Sequence, residues 1–184
     1  MSTSISLDRS PADVLRPLRQ VRQYREFTAE LPTDDELKAI ADVARWTGSS
    51  HNSQPWRFLV VRDASLLHRI AELGVPQTRA LRTAPTAVAI LLPDIPERAI
   101  SHAYDDGRVA ERILIGASMI GLGAGIAWVR SDVRPQIQAL LAVPAGYFVR
   151  TIMAVGHPTE AARRPKSEPG KARLPRSEVV LRDG

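Results

Sequence analysis

Three groups of residues carry types and spacings that suit chemistry. The first is Gly48-Ser49-Ser50-His51-Asn52-Ser53-Gln54-Pro55-Trp56, where three hydroxyls and two amides fall within a few positions. Each amide offers both donors and acceptors, which suits the edge of a polar ligand. The second is Arg22-Gln23-Tyr24-Arg25-Glu26-Phe27, and the third is Lys171-Ala172-Arg173-Leu174-Pro175. Guanidinium groups bind phosphate through paired charge-assisted hydrogen bonds, so the basic residues near the two ends of the chain suit a single phosphate. Two other groups read as structural. Asp105-Asp106-Gly107 has paired carboxylates, and the expected role is to cap a helix running from Arg108 to Ile120. The glycines in Gly121-Leu122-Gly123-Ala124-Gly125 follow that helix instead of opening one, so they lack the strand-then-helix setting of a dinucleotide fingerprint.

The elements that must position these groups can be read from caps and periodicity. Thr33-Asp34-Asp35-Glu36 is a capping box, followed by Leu37, Ile40, Ala41 and Ala44 at helical spacing. This helix delivers the chain to the Ser/Asn/Gln loop, and Trp56 to Arg62 then reads as a strand. A short helix is expected over Ser65 to Leu73, capped near Asp63 or Ser65 and ended by Gly74. Thr86 to Leu92 is a continuous apolar run, as expected for a strand buried on both faces. Further strands are expected over Ile126 to Val129 and Tyr147 to Val155. Between these, Ser131 is the expected cap of a helix carrying Ile137, Leu140 and Leu141. At the start of the chain, Pro17 places the first regular helix near Asp13 or Val14, with Leu15, Leu18 and Val21 on one face.

The 184 residues suffice for one domain, 1–184, with a real core. Positions 160–184 read as a basic extension: from Arg163 onward seven basic residues face three acids, a balance of +4 within a formal total of +5. No nucleic-acid motif is present, and no aromatic residue lies among those charges to stack on bases, so no nucleic-acid partner is expected. No run is long and apolar enough to span a bilayer, so no membrane partner is expected either. The N-terminus shows no signal-peptide pattern, and a cytoplasmic location is the default expectation. Cysteine is absent, which excludes disulfides and thiolate chemistry. The four histidines show no metal-ligand spacing, and no metal is expected.

The loop resembles the Pro-Ser-Ser-x-Asn-x-Gln-Pro-Trp signature of the FMN-dependent nitroreductase family, with Gly48 where the family usually has proline. The segment from Arg22 to Phe27 is similar to that family's opening Arg-Arg-Ser-x-Arg-x-Phe, although Val21 and Gln23 depart from it. Gly121 to Gly125 resembles the Gly-Leu-Gly turn after its core helix, and Lys171 to Pro175 its closing Lys-x-Arg-Leu-Pro. The resemblance implies an α+β fold, with a mixed central β-sheet flanked by helices. It also implies a homodimer with two FMN sites at its interface and a terminal strand at Val179 to Leu181 joining the partner's sheet. The residues it assigns to FMN are Arg22, Gln23, Arg25, Ser49, Ser50, Asn52, Gly125, Ile126, Lys171 and Arg173. Lys171 and Arg173 would meet the phosphate, Arg25 the N1/O2 edge, and backbone near Gly125 and Ile126 the N5 atom. Gln54, Pro55 and Trp56 would form the structural end of the loop.

The implied activity is ping-pong transfer of a hydride from NAD(P)H through FMN to a small-molecule acceptor such as a nitroaromatic or quinone. No side chain is required as acid or base. Specialised activities of the family (flavin breakdown, dehalogenation, cyclic-dipeptide oxidation) and a non-enzymatic flavin-binding role are the alternatives. The short stretch between Leu92 and Tyr104 implies less cover over the flavin than larger members have.

Overall fold

The strand Thr86–Pro93 (β2) explains the layering, because it is buried along nearly its whole length. Its side chains alternate between two faces. Ala87, Ala89 and Leu91 join one apolar cluster, and Val88, Ile90 and Leu92 join the other. The computed structural model, which describes residues 10–165, 167 and 173–180, places β2 inside a four-stranded sheet. The strand order is β1-β2-β4-β3, with β1 at Arg57–Val61, β3 at Gly123–Trp128 and β4 at Tyr147–Gly156.

Helices cover both faces. Leu37 and Ile40 of α3 (Asp34–Arg45) pack with Val109, Ile113 and Leu114 of α5 (Ala99–Met119) against one face. Leu67 and Ile70 of α4 (Ala64–Gly74) join Ile137 of α6 (Arg134–Leu140) on the other. The sequence expectations for α3, α4 and the four strands hold within a few residues. Thr33 accepts from the Glu36 N–H at 3.2 Å, and Glu36 accepts from the Thr33 N–H at 2.7 Å, completing the box. The Thr33 N–H and the Thr33 hydroxyl, both donating to the Glu36 carboxylate, hold it below its usual range. Asp63 caps α4.

Several expectations are corrected. The α+β architecture stands, but the four described strands pair antiparallel throughout, and the parallel component is a single isolated bridge between Gln23 and Ala124. The first helix is two short ones, α1 (Pro11–Val14) and α2 (Arg16–Gln20), because Pro17 fits only in a first turn. Ser10 caps α1, and Leu15 and Leu18 remain exposed. Helix α5 begins at Ala99, well before Arg108, so Asp105 and Asp106 lie inside it and cap nothing. They face inward with His102 and Val109, on the buried side of the helix. Ser131 does not cap α6. That helix starts at Arg134 with Pro135 in its first turn and Val133 before it. Val179 lies in α8 (Arg176–Val179), not in a strand; Val180 donates its N–H to the Arg176 carbonyl at 2.8 Å, a local bond available without a neighbouring sheet edge. Leu181 lies outside the described residues. The remaining short helix is α7 (Glu160–Arg163).

Candidate functional site

The segment from Arg22 to Thr28 is pinned along the end of the sheet. Tyr24 donates its N–H to the Ala124 carbonyl at 2.8 Å, and Thr28 does the same to the His157 carbonyl at 2.8 Å. Phe27 is buried, and its N–H reaches the Thr83 hydroxyl at 3.1 Å. Pinning this backbone fixes where Arg22, Gln23 and Arg25 stand. They border a groove of about 870 Å³ that also takes Arg19, Glu111 and, from the other end of the chain, Arg173. The structure therefore brings the opening and closing basic motifs together, as their chemistry suggested. Lys171 lies outside the described residues.

Two arginines of this groove, Arg22 and Arg25, do different work. Arg22 is committed to the protein. Its guanidinium donates to the carbonyls of Ala162 at 3.3 Å, Arg164 at 3.4 Å and Arg163, and to the Tyr24 hydroxyl at 3.1 Å. It also lies over the Tyr24 ring, 4.9 Å from the centroid. Those carbonyls lie at the end of α7, where a helix leaves acceptors without internal partners. Arg22 is thus a strap that ties the C-terminal segment to the N-terminal one, and it is not a free phosphate ligand. Arg25 is exposed and has no ion pair or hydrogen bond among the described residues, so its charge is available to a ligand.

Gln23 accepts the Ile126 N–H on its side-chain oxygen at 3.3 Å. The donor assigned by resemblance to a flavin nitrogen is therefore already used inside the chain, while the NH2 of Gln23 remains a donor at the groove. Gly125 has an internal reason to be glycine. A Cβ there would overlap the Tyr24 carbonyl and crowd Ala80. Its lack of a side chain permits the Gln23–Ala124 bridge.

The Ser/Asn/Gln loop is a separate surface, since none of residues 48–56 borders the groove. Its backbone is held in an uncommon form. His51, Asn52 and Gln54 have φ of 52°, 52° and 45°, in the left-handed region that non-glycine residues seldom enter. Ser49 stabilises the turn by accepting the Gln54 N–H at 2.9 Å, and its carbonyl accepts the Asn52 N–H at 3.1 Å. Ser50 pairs with His51 Nδ1 at 3.0 Å. Asn52 is exposed, and its side-chain amide has no partner among the described residues. Pro55 and Trp56 are buried and lead into β1, which matches the structural role expected of them.

The donor set fits a phosphate-bearing ligand. Arg25, Arg173 and Gln23 offer charge and amide donors around one large groove, and the loop offers a free amide on a rigid backbone. No sequence signal marks the Arg22 strap, because its partners are backbone carbonyls some 140 positions away.

Residues 18–85 match the model of the nitroreductase family, a segment holding both the Arg22–Phe27 motif and the loop. A Methanothermobacter thermautotrophicus protein, provisionally named an NADH dehydrogenase/NAD(P)H nitroreductase, is 26% identical over 155 residues, covering 82% of this chain and 80% of the relative. The NADPH-flavin oxidoreductase of Vibrio harveyi is 27% identical over 171 residues, covering 86% of this chain and 69% of that protein. The FMN-dependent nitroreductase of Clostridium difficile superimposes with a TM-score of 0.77 at 23% identity, covering 91% of this chain and 98% of the other, which establishes the shared fold. Segment match, relatives and fold together make this chain similar to the nitroreductase family, in sequence over residues 18–85 and in fold over most of its length.

Proposed function

We propose that this protein is an FMN-dependent oxidoreductase that takes electrons from NAD(P)H and passes them to an electron-poor small molecule, such as a nitroaromatic or a quinone. The observation that carries this reading is the meeting of Arg25, Gln23 and Arg173 at one groove from opposite ends of the sequence. Arg173, with Lys171 beside it in sequence, would hold the FMN phosphate. Arg25 would stand where negative charge grows on reduction, and a fixed cation there favours the reduced state. FMN, when bound, supplies the reversible two-electron chemistry that no side chain here provides.

The loop's role follows from its separation from the groove. Ser49, Ser50 and Asn52 would complete the site of a second copy, so that each site joins one protomer's groove to its partner's loop. Exposed apolar groups support a homodimer: Trp46 is 72% exposed, Ile100 77% and Tyr104 71%. Burying such groups between copies is favourable at roughly 25 cal/mol per Å². Residues 160–184 would then act as an extension that closes the phosphate end of a single domain. Among the described residues, no helix is long and apolar enough to cross a membrane.

The test is the absorption spectrum of the purified protein, recorded without oxygen before and after NADPH. A bound-flavin spectrum that bleaches, and returns when a quinone is added, is the expected result. Protein that binds FMN but is never reduced would leave only a flavin-binding role, and protein that does not bind FMN would reject the proposal.

A further inference from the structure

A second cationic hollow lies away from the arginine groove and shares no lining residue with it. Its volume is about 360 Å³. Arg150 and Phe148 stand two apart on β4, which turns their side chains to the same face. Arg134 enters from the start of α6. The Arg134 and Arg150 guanidinium groups lie 5.5 and 5.7 Å from the centroid of the Phe148 ring, so one aromatic ring carries two cations.

Neither arginine forms an ion pair with a carboxylate within 4.0 Å among the described residues. The Nε atoms of both are buried without a hydrogen-bond partner. Arg134 is destabilised as a cation first by its burial and then by Arg150, with Asp94 offsetting part of the effect. Two like charges held together without a bonded counterion are costly, and an anion between them removes that cost. Gln138 adds a donor at the wall, because its side-chain oxygen is taken by the Val149 N–H at 3.3 Å and its NH2 is left over. Ile95 and Pro96 form an apolar side.

We propose that this hollow binds a small organic acid, with its carboxylate against Arg134 and Arg150 and its apolar body against Ile95 and Pro96. Paired guanidinium donors match the two oxygens of a carboxylate. The volume exceeds what a bare oxyanion fills, and the apolar side favours a ligand with a hydrocarbon portion.

The experiment is calorimetric titration of the purified protein with benzoate and with acetate. Wild type should bind benzoate saturably and more tightly than acetate. Arg134→Gln should weaken benzoate binding about tenfold, the loss of one charge-assisted contact. Ser131→Glu, an exposed change on the rim that spares the core, should weaken it by repulsion and guards against misfolding of the arginine variant. FMN affinity should stay unchanged in both variants. Absence of saturable benzoate binding by wild type, or equal benzoate affinity in all three proteins, would overturn the assignment. Equal affinity for acetate and benzoate would overturn its organic part.

Discussion

The groove beside Arg25 and the loop from Gly48 to Trp56 are built on opposite plans. In the groove, backbone pairing along Ala124 and His157 fixes an ordinary extended segment, and charged side chains do the recognising. In the loop, the backbone itself is unusual, with His51, Asn52 and Gln54 in the left-handed region, and the side chains that hold it are small hydroxyls. Function at the groove should therefore respond to charge, and function at the loop to backbone conformation. Where non-glycine residues keep positive φ, local strain of about 1–3 kcal/mol each is sustained by the surroundings, which is consistent with a loop shaped to meet something outside its own chain.

The largest effect should come from Gly125→Ala. The added Cβ would force Tyr24 away and break the pairing that positions Arg25. Overpacking of this kind costs about 3 kcal/mol at its upper range, so thermal unfolding should show a marked fall in stability together with lost FMN binding. Stability equal to wild type would show that the groove's backbone is not pinned as described.

Arg25→Ala should raise the FMN dissociation constant about tenfold, with little change in stability, because an exposed charge is removed from the ligand alone. Arg22→Lys sharpens the contrast. It keeps the charge but loses the fork that grips three carbonyls, so limited proteolysis should cut more readily near Arg163 and Arg164. If Arg22→Lys left proteolysis unchanged, the strap would be refuted.

At the loop, Asn52→Gly and Asn52→Ala separate backbone from amide. Both remove the exposed amide, yet only alanine resists a φ of 52°. Alanine should therefore be less stable than glycine by about 1 kcal/mol, while both weaken FMN binding. Wild-type FMN affinity in both variants would remove Asn52 from the site.

The smallest effect concerns Asp106, away from both regions. Burial raises its carboxyl above the usual range, outweighing the Thr151 hydroxyl that donates to it at 2.6 Å. A raised folded-state value means that the fold favours the protonated acid. The contribution is present below the ordinary carboxylate range and is lost as pH rises through the folded value. Asp106→Asn should hence be more stable than wild type near neutral pH and should flatten that part of the stability profile. Chemical denaturation across pH would show whether the two curves converge in acid, as expected, or stay parallel.

The sequence made the scaffold legible where local rules suffice. Thr33 and Glu36 announce a cap, the apolar run from Thr86 announces a strand buried on two faces, and Pro55-Trp56 announces the start of β1. It was less informative where distant partners decide. Asp105 and Asp106 look like caps because paired carboxylates usually avoid a buried helix face, yet α5 extends past them. Arg22 looks like a ligand because its partners are carbonyls at the far end of the chain. Ile126 looks free until Gln23 is folded against it. The convergence of Arg25 with Arg173 was legible only as complementary chemistry at two ends of the chain.

The proposed dimer builds each site from one protomer's groove and its partner's loop. Subunit mixing tests it directly, using Arg25→Ala protomers combined with Asn52→Gly protomers. In a hybrid dimer, shared sites would leave one site with both changes and the other with neither. One FMN should then bind per hybrid dimer at wild-type affinity. If groove and loop of the same protomer served one site, each site would carry one change, and a hybrid with no wild-type-affinity site would rule out the shared site.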